Sequence, residues 1–427
     1  MKLKWYDRSS VVFIITFVII MVLSVSANAE NYVIGDQRSP VVMPVEGATY
    51  VGAEECSLCH AEKYAEWETT GHGYILITPE EALEMRADLP LPAGYMEDDI
   101  LFVNGGWGWK ARYIDEQGYI ITKTGENMAV NGSNQYNIET GEWVDYNAGI
   151  LLEYNCFKCH TTGASYDEGV EGLTGIPGSW EFRGVQCEAC HGPGSEHVAQ
   201  GGAEGVAINV DPSASFCGQC HRRGEDDDKI PSGGGFVQHH EEYQELLASG
   251  GMSTFDCVVC HDPHQPVHAG ATNPTEGLGI TTQCEDCHAE AARIYANSTK
   301  GAAGIECLDC HMPLSARSAV NTSPYVADVR SHLFRIDTSV DAEFTYIDEE
   351  SGKEYANSYL TLEYACLKCH TDKDKAWAAE TTPMVTAHAA KEDTAPMTST
   401  EEATPGFGVI TATLMIATGY LIVRRRP

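Results

Sequence analysis

Every cysteine in this 427-residue chain belongs to a Cys-x-x-Cys-His motif: sixteen cysteines make eight motifs, with none left over. The motifs are Cys56, Cys59 and His60; Cys156, Cys159 and His160; Cys187, Cys190 and His191; Cys217, Cys220 and His221; Cys257, Cys260 and His261; Cys284, Cys287 and His288; Cys307, Cys310 and His311; and Cys366, Cys369 and His370. Two thiols one helical turn apart can each form a thioether to a haem vinyl group, and the next residue can reach the iron as its proximal ligand. Zinc ribbons and disulfide redox pairs also use Cys-x-x-Cys, but neither needs a histidine after every pair, nor eight pairs. The sequence therefore predicts eight covalently bound haem c groups.

From Cys156 to His311 the motifs recur every 23 to 40 residues. That is too little polypeptide per haem for ordinary hydrophobic cores. The expected fold is mainly α and irregular, a multihaem cytochrome c fold organised around stacked haems with a small antiparallel β insertion. Residues 30–98 form an amino-terminal segment with the first haem, and 61–69 read as a short helix. Between the first two motifs, ILFV, KARYID, GYIITK and GEWVDY alternate in β fashion between Gly and Asn turns. They predict an insertion of about four strands over 99–148. Residues 149–378 form the core with haems 2 to 8, in which 241–248 and 289–297 look helical. The stretch 320–359 carries no motif and is expected to wrap back across the domain.

Eight histidines lie outside the motifs: His72, His197, His239, His240, His264, His268, His332 and His388. Eight bis-histidine irons need eight distal ligands, so the count matches. The spacing strains it. His239 and His240 are adjacent and would have to serve two haems, His264 and His268 are close together, and His388 lies in a polar tract. Any iron left without histidine takes Met, a deprotonated Lys, or stays open, and an open iron is a catalytic site in waiting.

The ends carry addressing patterns. Lys2, Lys4 and Arg8 precede an apolar run from Val11 to Leu23 and then Ala27-Asn28-Ala29. This is the pattern of a secretory signal over residues 1–29, cleaved before Glu30; the alternative is an uncleaved anchor. At the other end a Thr-rich segment, 379–404, reads as a disordered tether. Beyond it Phe407 to Val423 holds no charge and is closed by Arg424, Arg425 and Arg426. As a helix it would span about 25 Å, slightly short of a ~30 Å hydrocarbon core. The order of tether, Pro405-Gly406-Phe407, apolar helix and Arg cluster resembles the PGF-type sorting signal of archaeal surface proteins, in which the helix is replaced by a lipid. Residues 405–427 are thus a sorting signal or a single-span transmembrane anchor. Either way the haem domain is expected outside the cell, attached through its carboxyl terminus to the outer face of the cytoplasmic membrane or the cell surface.

The formal charge is −35, and residues 30–404 hold 21 basic against 61 acidic side chains. Such a field excludes nucleic acid as a partner and repels anionic substrates unless a local basic patch exists. The body of the sequence shows no basic run.

Much of the chain, roughly 50–375, resembles the tetrahaem cytochrome of ammonia oxidisers and its multihaem relatives, including octahaem tetrathionate reductases and hydroxylamine oxidoreductases. The matching pieces are YVGAEECSLCHAEKYAEWETTGH, GGWGWKARYI, QYNIETGEWVDY, CFKCHTTGASY, GVQCEACHGPGSEH, HHEEYQELLASG, CVVCHDPH, GIECLDCHMP and DVRSHLFRI. The resemblance implies closely stacked, mostly bis-histidine haems, with His72, His197 and His332 as distal ligands. Relatives often carry Ser-x-His shortly before a motif. The corresponding places, 248–252 and 298–300, lack the histidine, and Lys300 becomes a candidate catalytic ligand because Lys marks the active haem in some octahaem reductases. The leading expectation is an electron conduit between a membrane quinol-oxidising complex or other cytochromes and an outer acceptor. The alternatives are an oxidoreductase for nitrite, hydroxylamine or tetrathionate, and a subunit of a cytochrome filament.

Overall fold

The computed structural model describes residues 45–224, 226–268 and 279–381. The secretory pattern, nearly all of the tether, the 405–427 anchor and His388 lie outside them. No helix among the described residues is long and apolar enough to cross a membrane.

The motifs themselves are single helical turns. His60, His221, His261, His288 and His370 each donate their backbone N–H to the carbonyl of the first cysteine four residues back, at 2.8–3.1 Å. That i to i−4 bond sets the cysteine and the histidine on one face of the turn. Short helices follow at Ala61–Trp67, Glu242–Ala248 and Ala289–Ala296, and the last helix, Lys375–Thr381, runs three residues past the expected core boundary.

The alternating segment forms an antiparallel sheet larger than the insertion expected. Its main path runs Leu76–Ile77, Ile100–Gly105, Lys110–Asp115, Tyr119–Ile120 and Leu152–Glu153. Gln135–Asn137 pairs with the first half of Lys110–Asp115, and Glu142–Val144 lies outside it. The sheet thus recruits strands before residue 99 and after 148. Gly105, at φ 88°, opens the first hairpin, where a Cβ would lie 2.5 Å from the Lys110 carbonyl oxygen. Alternation then divides the faces. Ala111 and Tyr113 pack with Ile77, Ala82, Leu89 and Val103, whereas Ile114 packs on the other side with Leu76, Tyr154 and Phe157. Lys110 and Arg112 share the parity of Ile114 and emerge on that second side.

A second sheet joins distant segments in the order Ala316–Arg317, Phe236–Gln238, Ile230–Gly233, Glu354–Ala356 and Thr345–Ile347. It is built on Ile230, Phe236, Val237, Leu333, Phe344 and Leu360. Strands of two to four residues gave no sequence signal, and here 320–359 closes over the core as part of a sheet.

Five of the eight motifs, from Cys187 to His311, lie in stretches (181–229 and 249–315) that contribute no residue to any hydrophobic cluster of the described chain. Polar ties hold these stretches instead. Glu188, inside the third motif and 1% exposed, accepts the backbone N–H groups of Val51 at 2.9 Å, Gly52 at 2.7 Å and Gly194 at 2.7 Å. Its carboxylate fastens the segment before the first motif to the third. Replacing it by Ala leaves three backbone donors without their acceptor, an expected loss of about 3 kcal/mol. Thermal unfolding of Glu188→Ala followed by Soret absorbance should show a clearly lowered midpoint; an unchanged one would contradict this role.

Candidate metal centres

Burial keeps several imidazoles neutral, the form that binds a metal. The pKa of His72 is pushed down to about 4, and those of His261 and His160 to about 4 and about 3, in each case chiefly by burial. Hydrogen bonds then fix the tautomer. Nδ1–H of His160 donates to Asn104 Oδ1 at 2.6 Å, and those of His191, His197 and His311 donate at 2.8 Å to the carbonyls of Asn209, Val206 and Phe334. His221 Nδ1 faces Glu242 Oε2 at 3.3 Å, and His264 Nδ1 faces Asp262 Oδ1 at 2.9 Å. With Nδ1 engaged, each Nε2 lone pair is left for a metal.

Two imidazoles bound through Nε2 to opposite sides of one iron, each at about 2 Å, place their ring centroids about 6.3 Å apart. Four motif histidines meet another histidine at that span. His60 faces His197 at 6.4 Å, His191 faces His264 at 6.2 Å, His221 faces both His72 at 6.4 Å and His240 at 6.1 Å, and His261 faces His332 at 6.1 Å. Apolar side chains exposed at motifs, Leu58, Val258 and Val259, offer beds for a flat macrocycle. The residues fit haem c.

Neighbouring thiols show which attachment sites adjoin. The sulfurs of Cys56 and Cys187 lie side by side, as do those of Cys159 and Cys220 and of Cys217 and Cys257. Cys190 lies in electrostatic range of Cys217, Cys260 of Cys287, Cys284 of Cys307, and Cys310 of Cys366 and Cys369. The sites therefore run first, third, fourth, fifth, sixth, seventh, eighth, and the second joins at the fourth.

That second site shares the want of a facing histidine with those at His311 and His370 among the described residues, and is set apart by its charge. Among the described residues no histidine ring faces His160 at an iron's span. Instead cations gather beside it, assembled from separate segments where the sequence shows no basic run. Lys110 Nζ lies 3.3 Å from His239 Nε2 and donates to the Ser318 carbonyl. Arg223 donates to the same His239 nitrogen at 3.2 Å. Arg112, held by Gln135 at 2.8 Å, stacks over Tyr146. Burial, then Arg112 and Arg223, hold the Lys110 pKa well below its ordinary value, with Asp328 pulling the other way. Asp328 in turn accepts the N–H groups of Ser318, Ala319 and Val320, which fixes the wall against Lys110.

The remaining candidates are scattered. His240, at φ 71°, turns the chain so that its ring meets His221 edge-on at 6.1 Å while His239 points to Lys110. His268 packs edge-on against Trp109. Lys300 lies on the short helix Thr299–Ala302, near Cys310 and Cys366 at the seventh and eighth motifs and apart from the cationic cluster. Lys110, Arg112 and Arg223 were missed in the sequence, where the KARYID run reads only as a strand; the even parity of Lys110 and Arg112 with the buried Ile114 was the available signal.

The family description cytochrome c554 and c-prime matches residues 123–192, which include the second and third motifs. The chain is 22% identical over 451 residues to the dissimilatory sulfite reductase MccA of Wolinella succinogenes, covering 77% of this chain and 62% of that protein. It is 27% identical over 168 residues to the multihaem cytochrome MtrA of Shewanella baltica, covering 37% of this chain and 45% of that one. The chain thus spans less than two thirds of the length of either relative. The solved octahaem sulfite reductase MccA of Wolinella succinogenes shares the fold, with a TM-score of 0.57 at 18% identity over 78% of this chain and 66% of that one.

The ring angles give a spectroscopic signature. His60–His197 and His191–His264 are near parallel, at 17° and 6°, whereas His72–His221 are crossed at 80°. Crossed imidazoles leave two ferric d orbitals nearly degenerate and widen the g anisotropy. The oxidised holoprotein should show one such large-g low-spin signal beside rhombic ones in EPR, and His72→Gly should remove it and add a high-spin signal.

Proposed function

We propose that this chain, a multihaem c-type cytochrome by its motifs and its likenesses, carries electrons along eight haems bound at the eight motifs. The observation that supports this reading most is the set of four histidine pairs at an iron's span, joined through adjoining attachment sites. When bound, the haems supply reversible one-electron exchange between ferric and ferrous iron. An iron held by the two imidazoles of such a pair would pass electrons and offer no place to a substrate. The residues of this chain would hold the groups at the motif turns and fix the imidazole tautomers through Nδ1.

The site at His160 favours a second reading, the reduction of a small nitrogen or sulfur oxyanion such as nitrite or sulfite. A half-buried cationic cluster would bind an anion that the acidic outer field repels. There Arg112 and Arg223 would orient the anion, and Lys110 Nζ would hold or give a proton. The likeness to a protein named a sulfite reductase adds to this reading. We place the active position, if chemistry occurs, at Lys110 rather than Lys300.

The secretory pattern at 1–29 and the charge-free run at 407–423 support an exported chain attached at its carboxyl terminus. Its redox partners are then membrane or surface proteins, and the acidic field favours cationic ones.

Haem quantitation on the purified holoprotein tests the count: eight per chain is expected, and fewer would remove motifs from the row. Titration with nitrite or sulfite tests the second reading. The expected result is a spectral change at one haem whose affinity falls about tenfold or more in Lys110→Met and is unaltered in Lys300→Met. Absence of any ligand-induced change leaves electron transfer alone.

A further inference from the structure

The partners of the ligand-type imidazoles fall into two chemical classes. His160 donates to an amide oxygen, and His191, His197 and His311 to backbone carbonyls. His221 and His264 have carboxylates within hydrogen-bond reach, Glu242 and Asp262, whereas Glu245 stands off His332 Nδ1 at 3.6 Å. Both carboxylates are built into place. Glu242 opens the helix Glu242–Ala248 that follows the His239-His240 turn. Asp262 accepts both the N–H and Nδ1–H of His264, each at 2.9 Å, with Lys63 at 3.5 Å behind it. The two imidazoles belong to adjoining sites, the third and the fourth, which meet through Cys190 and Cys217. The fourth is also the junction from which the second site, with its cationic cluster, branches through Cys220 and Cys159.

A charged acceptor on Nδ1–H pulls the imidazole toward imidazolate and makes Nε2 a stronger donor to iron, an effect that neutral carbonyls exert less. A stronger donor favours ferric over ferrous iron and lowers the reduction potential. One electron enters each iron and leaves it again; no bond forms or breaks.

We propose that Glu242 and Asp262 are positioning residues that make the third and fourth sites the low-potential centre of the row, so that electrons are delivered downhill from the junction into the branch at His160. This rests on the reading of the facing histidines as axial ligand pairs.

The test is a potentiometric titration of the holoprotein followed by EPR, in which the crossed pair His72–His221 and the near-parallel pairs have separate signals. Glu242→Gln removes the charge and keeps an acceptor; Glu242→Asp keeps the charge and withdraws the oxygen from Nδ1. Both should move the midpoint of the crossed-ring signal upward and leave the other signals in place. Asp262→Asn, on a separate turn and independent of the Glu242 helix, should raise the midpoint of one near-parallel signal alone. Unmoved midpoints in the Glu242 and Asp262 variants would overturn the proposal. So would an equal shift of every site, or a shift in Glu242→Gln without one in Glu242→Asp, since each marks a general field effect. A wild-type protein without a crossed-ring signal would overturn the ligand pairing itself, a failure distinct from unmoved potentials.

Discussion

An imidazole serves a metal well only when its second nitrogen is occupied, and that requirement organises the chain. For four motif histidines the acceptor of Nδ1–H comes from another segment: Asn104 for His160, Asn209 for His191, Glu242 for His221, Phe334 for His311. A motif turn is local and forms from five residues, but a correctly turned histidine needs a second segment delivered to it. The sheet around Lys110–Asp115 and the loop after His311 can be understood as carriers of those acceptors.

The same carriers create the electrostatic contrast of the molecule. The chain is strongly acidic overall, yet Lys110, Arg112 and Arg223 converge in a half-buried position beside His160. Strand parity sends Lys110 and Arg112 to the motif side, and the register opposite Arg112 brings in Asn104, the acceptor for His160. One strand pair therefore sets both the tautomer at the second site and the charge around it. A half-buried cluster of this kind costs desolvation, which Asp328 and the Ser318 carbonyl offset in part.

Much of this could be read from residues alone, and the rest could not, for physical reasons. The motifs are covalent chemistry with fixed spacing, so the attachment positions and their histidines are legible. The β alternation in 100–146 is legible too, because side chains on a pleated surface repeat every two residues. Pairing is not, since it depends on where the chain returns: His264 rather than His268 faces His191, and His239 is taken by Lys110 and Arg223. The second sheet was invisible because its strands are two to four residues long and come from segments up to about 120 residues apart. The cationic cluster was invisible because its members are scattered among acidic neighbours.

The stretches from 181 to 229 and from 249 to 315 hold five motifs and, among the described residues, no hydrophobic cluster. Segments without an apolar cluster of their own gain little by burying side chains against one another, so polar ties such as that of Glu188, or a group bound at the motifs, would have to hold them. A chain without its bound groups would then be loosest, and most open to proteases, in these stretches.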